Sequence, residues 1–306
     1  MTKQRFHRFI GIDWSGAEGE HQAGIRVAQY SHDTKRLELV KPPNRKNWSR
    51  QKVLKYIESL TDRQTLVGLD FGFSLPWRDE LRGYLPECFE RIRDVHELWA
   101  FVDAICKGTQ FFHAGPIWLS QESPFRSFIK YWSQALNYEG SLFNGGLLRK
   151  TEEAAKREGL RPISIYRMAG PQVGQGSFAG MRILRALDAS SNPKIAIWPF
   201  EDIENAKVGV VEIYPAAFYR MAGRARPTKR QVLQGAHCQI ISDTLQFFGS
   251  EYDANISDSI DAMDALISAA AICSISKQNH AFSVPNGKND FAKEGWIFGI
   301  PFGGVA

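Results

Sequence analysis

The chain has 306 residues, of which 43% are hydrophobic and 23% charged. These proportions are those of a globular protein and exclude wholesale disorder, collagen and coiled coil. The length suits about two typical domains or one elaborated α/β domain, and it is enough to bury a core without staples. Lys plus Arg total 38 against 33 for Asp plus Glu, a net charge of +5. That balance permits a polyanionic partner without demanding one.

The four cysteines are Cys88, Cys106, Cys238 and Cys273. None forms a Cys-x-x-Cys pair or lies at zinc-finger spacing from a His, so reduced, buried thiols are expected. The N-terminus is basic, and no apolar signal core follows it. The longest apolar stretch, 265–273, is far too short to span a bilayer. These features predict a cytoplasmic protein with no membrane partner.

Residues 6–13, 24–30 and 36–40 read as strands that would form an antiparallel meander. Residues 48–60 have helical spacing, with Asn47 as N-cap. Residues 65–70 form a short apolar run, a buried strand. This order suits an α/β fold with a mixed sheet. Residues 94–107 look helical. From about 108 to 193 the chain is rich in Gly, Pro and aromatic residues and is expected to be an insertion or subdomain. It holds helices near 151–157 and 178–187. Residues 195–198 and 208–214 read as strands, and 215–221, 229–248 and 258–275 as helices, the last capped by Ser257 or Asp258. The apolar tail, 294–301, is expected to dock on the body. No internal repeat or low-complexity linker is present.

Carboxylates stand in apolar surroundings at several places. Asp13 ends the first strand and Asp70 the fourth. Glu212 lies inside Val-Gly-Val-Val-Glu-Ile-Tyr-Pro. Asp261 and Asp264 are three apart, hence on one helix face, and Asp258 lies one step back along it. A buried carboxylate costs several kcal/mol unless paired or bound to metal. Open sheets bind ligands beyond the carboxyl ends of their strands, where Asp13 and Asp70 meet if their strands are parallel neighbours. Converging carboxylates repel, and a divalent cation removes the repulsion; oxygen-only ligands favour Mg²⁺ or Mn²⁺ over Zn²⁺. Two such ions can activate water against a phosphodiester. Each acid also has a plainer role: turn former at a strand end, or first-turn acid favoured by a helix dipole.

The motifs at these positions resemble a known family. They are Gly-Ile-Asp-Trp-Ser-Gly from residue 11, Gly-Leu-Asp-Phe-Gly-Phe-Ser-Leu-Pro from 68, Glu-Ile-Tyr-Pro from 212, Asp-Ala-Met-Asp-Ala-Leu from 261, and Glu-Gly-Trp-Ile-Phe-Gly-Ile-Pro from 294. In that order they resemble domain-of-unknown-function family 429, predicted nucleases of the ribonuclease H-like superfamily. The resemblance runs over nearly the whole chain and implies a single ribonuclease H-like domain, 1–306. It implies a five-stranded mixed sheet, three strands antiparallel and the others parallel, flanked by helices. It also implies a nuclease site of Asp13, Asp70 and Asp264, with Asp261 as companion and Glu212 in the Glu-x-Tyr-Pro motif. Metal would sit on Asp13, Asp70, Asp261 and Asp264. The chain departs from the ribonuclease H pattern in its first long helix, where Glu58 is the sole acid.

Two basic clusters suit a nucleic-acid partner. One carries Arg45, Lys46 and Trp48, cations beside a stacking aromatic. The other carries Arg224 and Arg226. Either also reads as a solvated surface. The Gly174–Gly176–Gly180 spacing mimics a dinucleotide fingerprint but lacks the preceding strand; with Arg182 nearby, the loop could instead hold a phosphate. His113 is a candidate acid, base or phosphate ligand, or a structural histidine. Ser15 and Ser74 stand beside the strand-end acids. Asp-Phe-Gly at 70–72 lacks the other kinase motifs. Beside the metal-dependent nuclease stand two alternatives: an actin-like nucleotide-binding module, for which a repeated half is missing, and a non-catalytic protein that binds nucleic acid or a partner through its basic surfaces.

Overall fold

The computed structural model describes residues 5–43, 47–78, 83–84, 92–143, 147–169, 173–190, 194–252, 259–283 and 291–302. Strands β1 (Arg8–Asp13), β2 (Arg26–Ser31) and β3 (Arg36–Leu39) form the expected antiparallel meander. Helix α1 (Arg50–Glu58) follows. It is capped by Ser49, whose hydroxyl oxygen accepts the Lys52 N–H at 3.1 Å, rather than by Asn47. Strand β4 (Thr65–Leu69) lies parallel to β1. Helix α2 (Val95–Ile105) starts on Asp94, whose carboxylate accepts the Glu97 N–H.

The region expected to be irregular carries more order than its composition announces. It holds α3 (Pro116–Leu119), β5 (Lys130–Trp132), β6 (Asn137–Glu139), α4 (Lys150–Arg157), β7 (Arg167–Met168) and α5 (Gly174–Asp188). The three short strands make a second sheet in the order β6-β5-β7. Then come β8 (Ile195–Ile197), β9 (Val208–Glu212), α6 (Pro215–Met221), α7 (Lys229–Leu233), α8 (His237–Phe247), α9 (Ile260–Ile275) and α10 (Phe291–Glu294). Residues 229–248 are therefore two helices, not one. Gly235 separates them at φ +70°, a left-handed conformation that glycine adopts without strain. Ser259 caps α9; Ser257 and Asp258 lie outside the described residues.

The main sheet has the order β3-β2-β1-β4-β9-β8. Six strands replace the expected five. The extra one, β8, is a three-residue edge strand that pairs parallel with β9, and the 195–198 run is the residue pattern behind it. Strands β1, β4, β9 and β8 are mutually parallel, so their carboxyl ends share one edge.

Side chains alternate across this sheet. Ile10, Ile12, Val67, Leu69, Val208 and Val210 enter one apolar core with α1, α2 and α5. Phe9, Leu66, Val211 and Ile213 enter the other, with α6, α8 and α9. Helix α9 lies on β1 at close range. A Cβ on Gly11 would stand 2.3 Å from the Ala265 carbonyl oxygen and 2.6 Å from the Ala269 nitrogen. The tail docks as expected: Trp296, Ile297, Phe298 and Ile300 are buried, and the Phe298 N–H donates to the Glu212 carbonyl at 2.8 Å. Cys106 and Cys273 are buried free thiols, whereas Cys238 is half-buried and Cys88 lies outside the described residues. Among the described residues, no helix is long and apolar enough to cross a membrane.

Gly11→Ala therefore forces α9 away from β1, because backbone atoms on both sides leave no flexible group to yield. The expected loss is about 3 kcal/mol or more, read as a lower denaturation midpoint in urea. A change below a few tenths of a kcal/mol would contradict this packing.

Candidate functional site

Asp13 is the last residue of β1, and Asp70 directly follows β4. The parallel register sets Ile12 beside Leu69, and the Asp70 N–H donates to the Ile12 carbonyl at 3.0 Å. The two acids are thus level on neighbouring strands. Each is followed by an aromatic residue, and the rings of Trp14 and Phe71 meet at 4.9 Å. The Trp14 indole N–H also donates to the Gly176 carbonyl at 3.0 Å. This aromatic pair sinks into the core on one side of the sheet. Alternation then sends both carboxylates to the other side, where α9 lies.

Helix α9 brings Asp264 to the same place. Asp264 is 1% exposed and Asp13 7%, while Asp70 is half-buried. Arg226, from the segment before α7, donates through Nε to Asp264 Oδ2 at 2.7 Å, and its Nη2 also contacts Oδ2. Asp264 Oδ1 is buried and makes no close hydrogen bond, but the buried Tyr219 hydroxyl interacts with this carboxylate. Asp261, one turn earlier, is half-buried and faces the loop between β1 and β2, near Gly24 and Ser15.

Burial and mutual repulsion mark these carboxylates. Burial raises the Asp13 pKa well above the ordinary carboxylate value, and Asp70, Asp264 and Asp261 raise it further. The Asp70 pKa is pushed up to about 8, first by burial and then by Asp264, with Arg226 and a hydrogen bond from Asp13 opposing. Asp264 is raised by burial against the pull of Arg226. Burial and mutual repulsion thus favour the protonated forms of Asp13 and Asp70.

Glu212 lies close enough to raise the Asp70 pKa and lines the same cavity, but its carboxylate is engaged elsewhere. Its register partner is Leu69, so its side chain leaves the sheet on the face opposite Asp70. There it is 2% exposed and paired with Arg149 of the turn before α4, Nη1 to Oε2 at 2.8 Å and Nη2 to Oε1 at 2.5 Å. Arg149 also bonds Glu152 at 3.0 Å and donates to the Glu294 carbonyl at 3.2 Å. Glu212 Oε2 further accepts the Phe73 N–H at 2.9 Å, fixing the loop after Asp70. Glu212 is therefore the anchor of a buried ion network.

The remaining candidates divide. Trp48 is 3% exposed and its indole N–H donates to the Val40 carbonyl, so it cannot stack on a base. Arg45 and Lys46 lie outside the described residues. Arg182 is buried, bonded to Asp103 at 2.7 Å and to the His113 carbonyl at 2.6 Å, which makes it a brace between α5 and α2. Arg224 pairs with Asp243 at 2.6 Å on a partly exposed surface. His113 sits edge-on to Trp118, with its pKa lowered by burial. The Ser74 hydroxyl donates to the Lys293 carbonyl, and Ser15 to Gln22. The glycines of 174–180 are inside α5, where Gly180 takes the face of Phe71 and the start of the helix is approached closely by Gly16, whose Cβ would stand 2.3 Å from the Gly176 nitrogen. They serve close packing, not a phosphate loop.

A cavity of about 290 Å³ opens on the group. Asp70, Asp264 and Arg226 line it together with Arg149, Glu212 and Tyr214. Asp13, Asp70 and Asp264 do not bring one oxygen each within 4.8 Å of the other two; the described residue groups that do close to that distance lie elsewhere. Arg226 stands on Asp264 in their midst. Sequence reasoning missed Arg149 and Glu152, whose spacing reads as an ordinary helix start. It also missed Arg50, a buried cation donating to Ser15, Ala17 and Phe111 carbonyls, which shapes the loop after Asp13. Compared with protein-family models, curated proteins and solved structures, the chain matches none.

Two outcomes are expected. Arg149→Met leaves Glu212 and Glu152 buried without their counter-charge and costs about 3–5 kcal/mol in equilibrium unfolding; a neutral result would remove the network from the fold's support. Asp70 binds its proton more tightly folded than unfolded, where its pKa is near 3.8. Its stabilising protonation is complete at low pH and is lost as pH rises through about 8. In chelator, Asp70→Asn therefore flattens the fall of thermal stability between about pH 4 and pH 8. Parallel curves for both proteins would contradict the raised pKa.

Proposed function

We propose that the protein is a divalent-metal-dependent phosphodiester hydrolase acting on nucleic acid, a member of the ribonuclease H-like superfamily akin to domain-of-unknown-function family 429. One observation carries this reading: three carboxylates, Asp13, Asp70 and Asp264, converge at the carboxyl edge of parallel strands, largely out of water, with Asp264 Oδ1 making no close hydrogen bond. Natural proteins seldom bury acids this way without a cation or a catalytic task.

The donor chemistry fits a hard cation, and the three carboxylates, wider apart than one ion's ligands, would have to close on it. All three groups offer oxygen, which suits Mg²⁺ or Mn²⁺. Asp13, Asp70 and Oδ1 of Asp264 would hold it, with Asp261 on the outer rim. When bound, such an ion supplies positive charge to a phosphodiester and lowers the pKa of water. The chain's own groups do the rest. Asp13 and Asp70 would give up their protons when a cation binds, and a carboxylate oxygen of the pair not on the ion would accept the proton of an attacking water. Arg226 keeps Asp264 in place through Nε and is partly exposed, so a guanidinium N–H remains to hold a phosphoryl oxygen. Arg226 and Lys229 also line a second opening beside Asp261, giving an anionic strand a positive approach to the acids. The reading of Glu212 as a catalytic group is given up: its carboxylate already serves Arg149.

The test is cleavage of labelled single-stranded DNA, duplex DNA, RNA, RNA–DNA hybrid and a four-way junction in Mg²⁺ or Mn²⁺. Asp13→Asn and Asp264→Asn proteins run alongside, with folding checked by circular dichroism. The expected result is metal-dependent cleavage that each substitution reduces by roughly a thousandfold or more. Wild-type rates in both variants would refute the site; no cleavage of any substrate would refute the activity.

A further inference from the structure

A second cluster lies at the sheet's far edge, apart from the acids above. His96 is in the first turn of α2, Asp188 is the last residue of α5, and Glu201 follows β8. Helices α2 and α5 run antiparallel, as the pairs His96–Asp188 and Asp103–Arg182 show. This sets the start of one beside the end of the other. Glu201 is brought in by a tight turn: its N–H donates to the Ile197 carbonyl at 3.0 Å, and its Oε2 accepts the Ile197 N–H at 2.7 Å.

One ligand atom from each of the three falls within 4.8 Å of the other two. His96 Nδ1 and Asp188 Oδ1 are 3.0 Å apart. Donors around a tetrahedral Zn²⁺, at bond lengths of about 2.0–2.1 Å, stand roughly 3.3 Å from one another. The His96–Asp188 distance is that of their own hydrogen bond, and an ion would open it slightly while drawing Glu201 in from within 4.8 Å. Its outer partners are also present. Asp188 Oδ2 accepts from Arg185 at 2.9 Å, and the ring of His96 packs edge-on against Trp99 at 5.2 Å. Such outer contacts orient metal ligands.

Two further features favour a cation. Asp188 is the final residue of a 15-residue helix, where the dipole disfavours an acid. Asp188 and Glu201 also bring two carboxylates together beside a single imidazole. The side chains of His96 and Asp188 are 37% and 17% exposed, so an ion can enter from solvent. The other such cluster, His7, His32 and Asp33, also carries an Arg on its Asp, but there Lys35 and Lys277 add two further cations facing His32.

We infer that His96, Asp188 and Glu201 form a binding site for a divalent first-row transition metal such as Zn²⁺, which clips the α2–α5 pair to the sheet edge at β8. One imidazole nitrogen with two carboxylates selects such a metal over Mg²⁺ or Ca²⁺. The remaining positions belong to water.

The probe is Co²⁺ as a coloured stand-in for Zn²⁺, titrated into the full chain carrying Asp13→Asn and Asp264→Asn so that the other acids do not compete. The expected result is one equivalent bound with a visible ligand-field spectrum. Adding His96→Ala or Glu201→Gln should weaken binding by tenfold or more, in line with loss of a ligand. Zn²⁺ should raise the melting temperature of the parent and not of these variants. Circular dichroism without metal verifies that each is folded, and Glu201→Gln, the gentler change, stands in if His96→Ala fails to fold. Absence of Co²⁺ and Zn²⁺ binding in the parent, or equal affinity after both substitutions, would overturn the site.

Discussion

The structure turns on the two-residue alternation of side chains along β1, β4 and β9 in their shared parallel register. Ile12, Leu69 and Glu212 are level and point to one side. Asp13, Asp70 and Ile213, one residue later, point to the other. A single step thus separates an acid that becomes part of the scaffold from two that become a site. The aromatic pair Trp14 and Phe71 holds that step in place, because turning either aspartate inward would turn a large ring out of the core.

Buried charge is handled differently on the two sides. Behind the sheet, Arg149 meets Glu212 and Glu152 with close hydrogen bonds, and Glu294 completes the surroundings through its carbonyl. Such a network ties the β9 end, α4 and the tail together, and its members have no capacity to spare. In front of the sheet, three acids share one partly exposed guanidinium, and an Asp264 oxygen makes no close hydrogen bond. That imbalance, with burial, raises the carboxylate pKa values. Gly11 allows it, since α9 could not otherwise lie near enough to β1 to present Asp264.

Much of the sheet was legible because its strands carry strong apolar signals bounded by turn residues. The meander, the parallel β4 and the convergence of Asp13, Asp70 and Asp264 follow from strand ends and helix spacing alone. Glu212 was misjudged because residue type and apolar surroundings say nothing of register: only its pairing with Leu69 reveals the face. Trp48 lies in a basic sequence that looks the same whether its ring meets solvent or a backbone carbonyl, and Arg182 follows a Gly-rich run that looks the same whether it cradles a phosphate or packs a helix. The second sheet escaped notice since its strands are two or three residues long, too short for alternation to register. The His96–Asp188–Glu201 cluster had no signal at all, its members being far apart in the chain and joined only by the antiparallel helices.

The most direct measurement is anomalous diffraction from crystals grown with saturating Mn²⁺. An ion bound by Asp13, Asp70 and Asp264, and lost from crystals of Asp264→Asn, is the result the account predicts. Crystals in which Mn²⁺ leaves these carboxylates bare, with Arg226 still seated on Asp264, would contradict it.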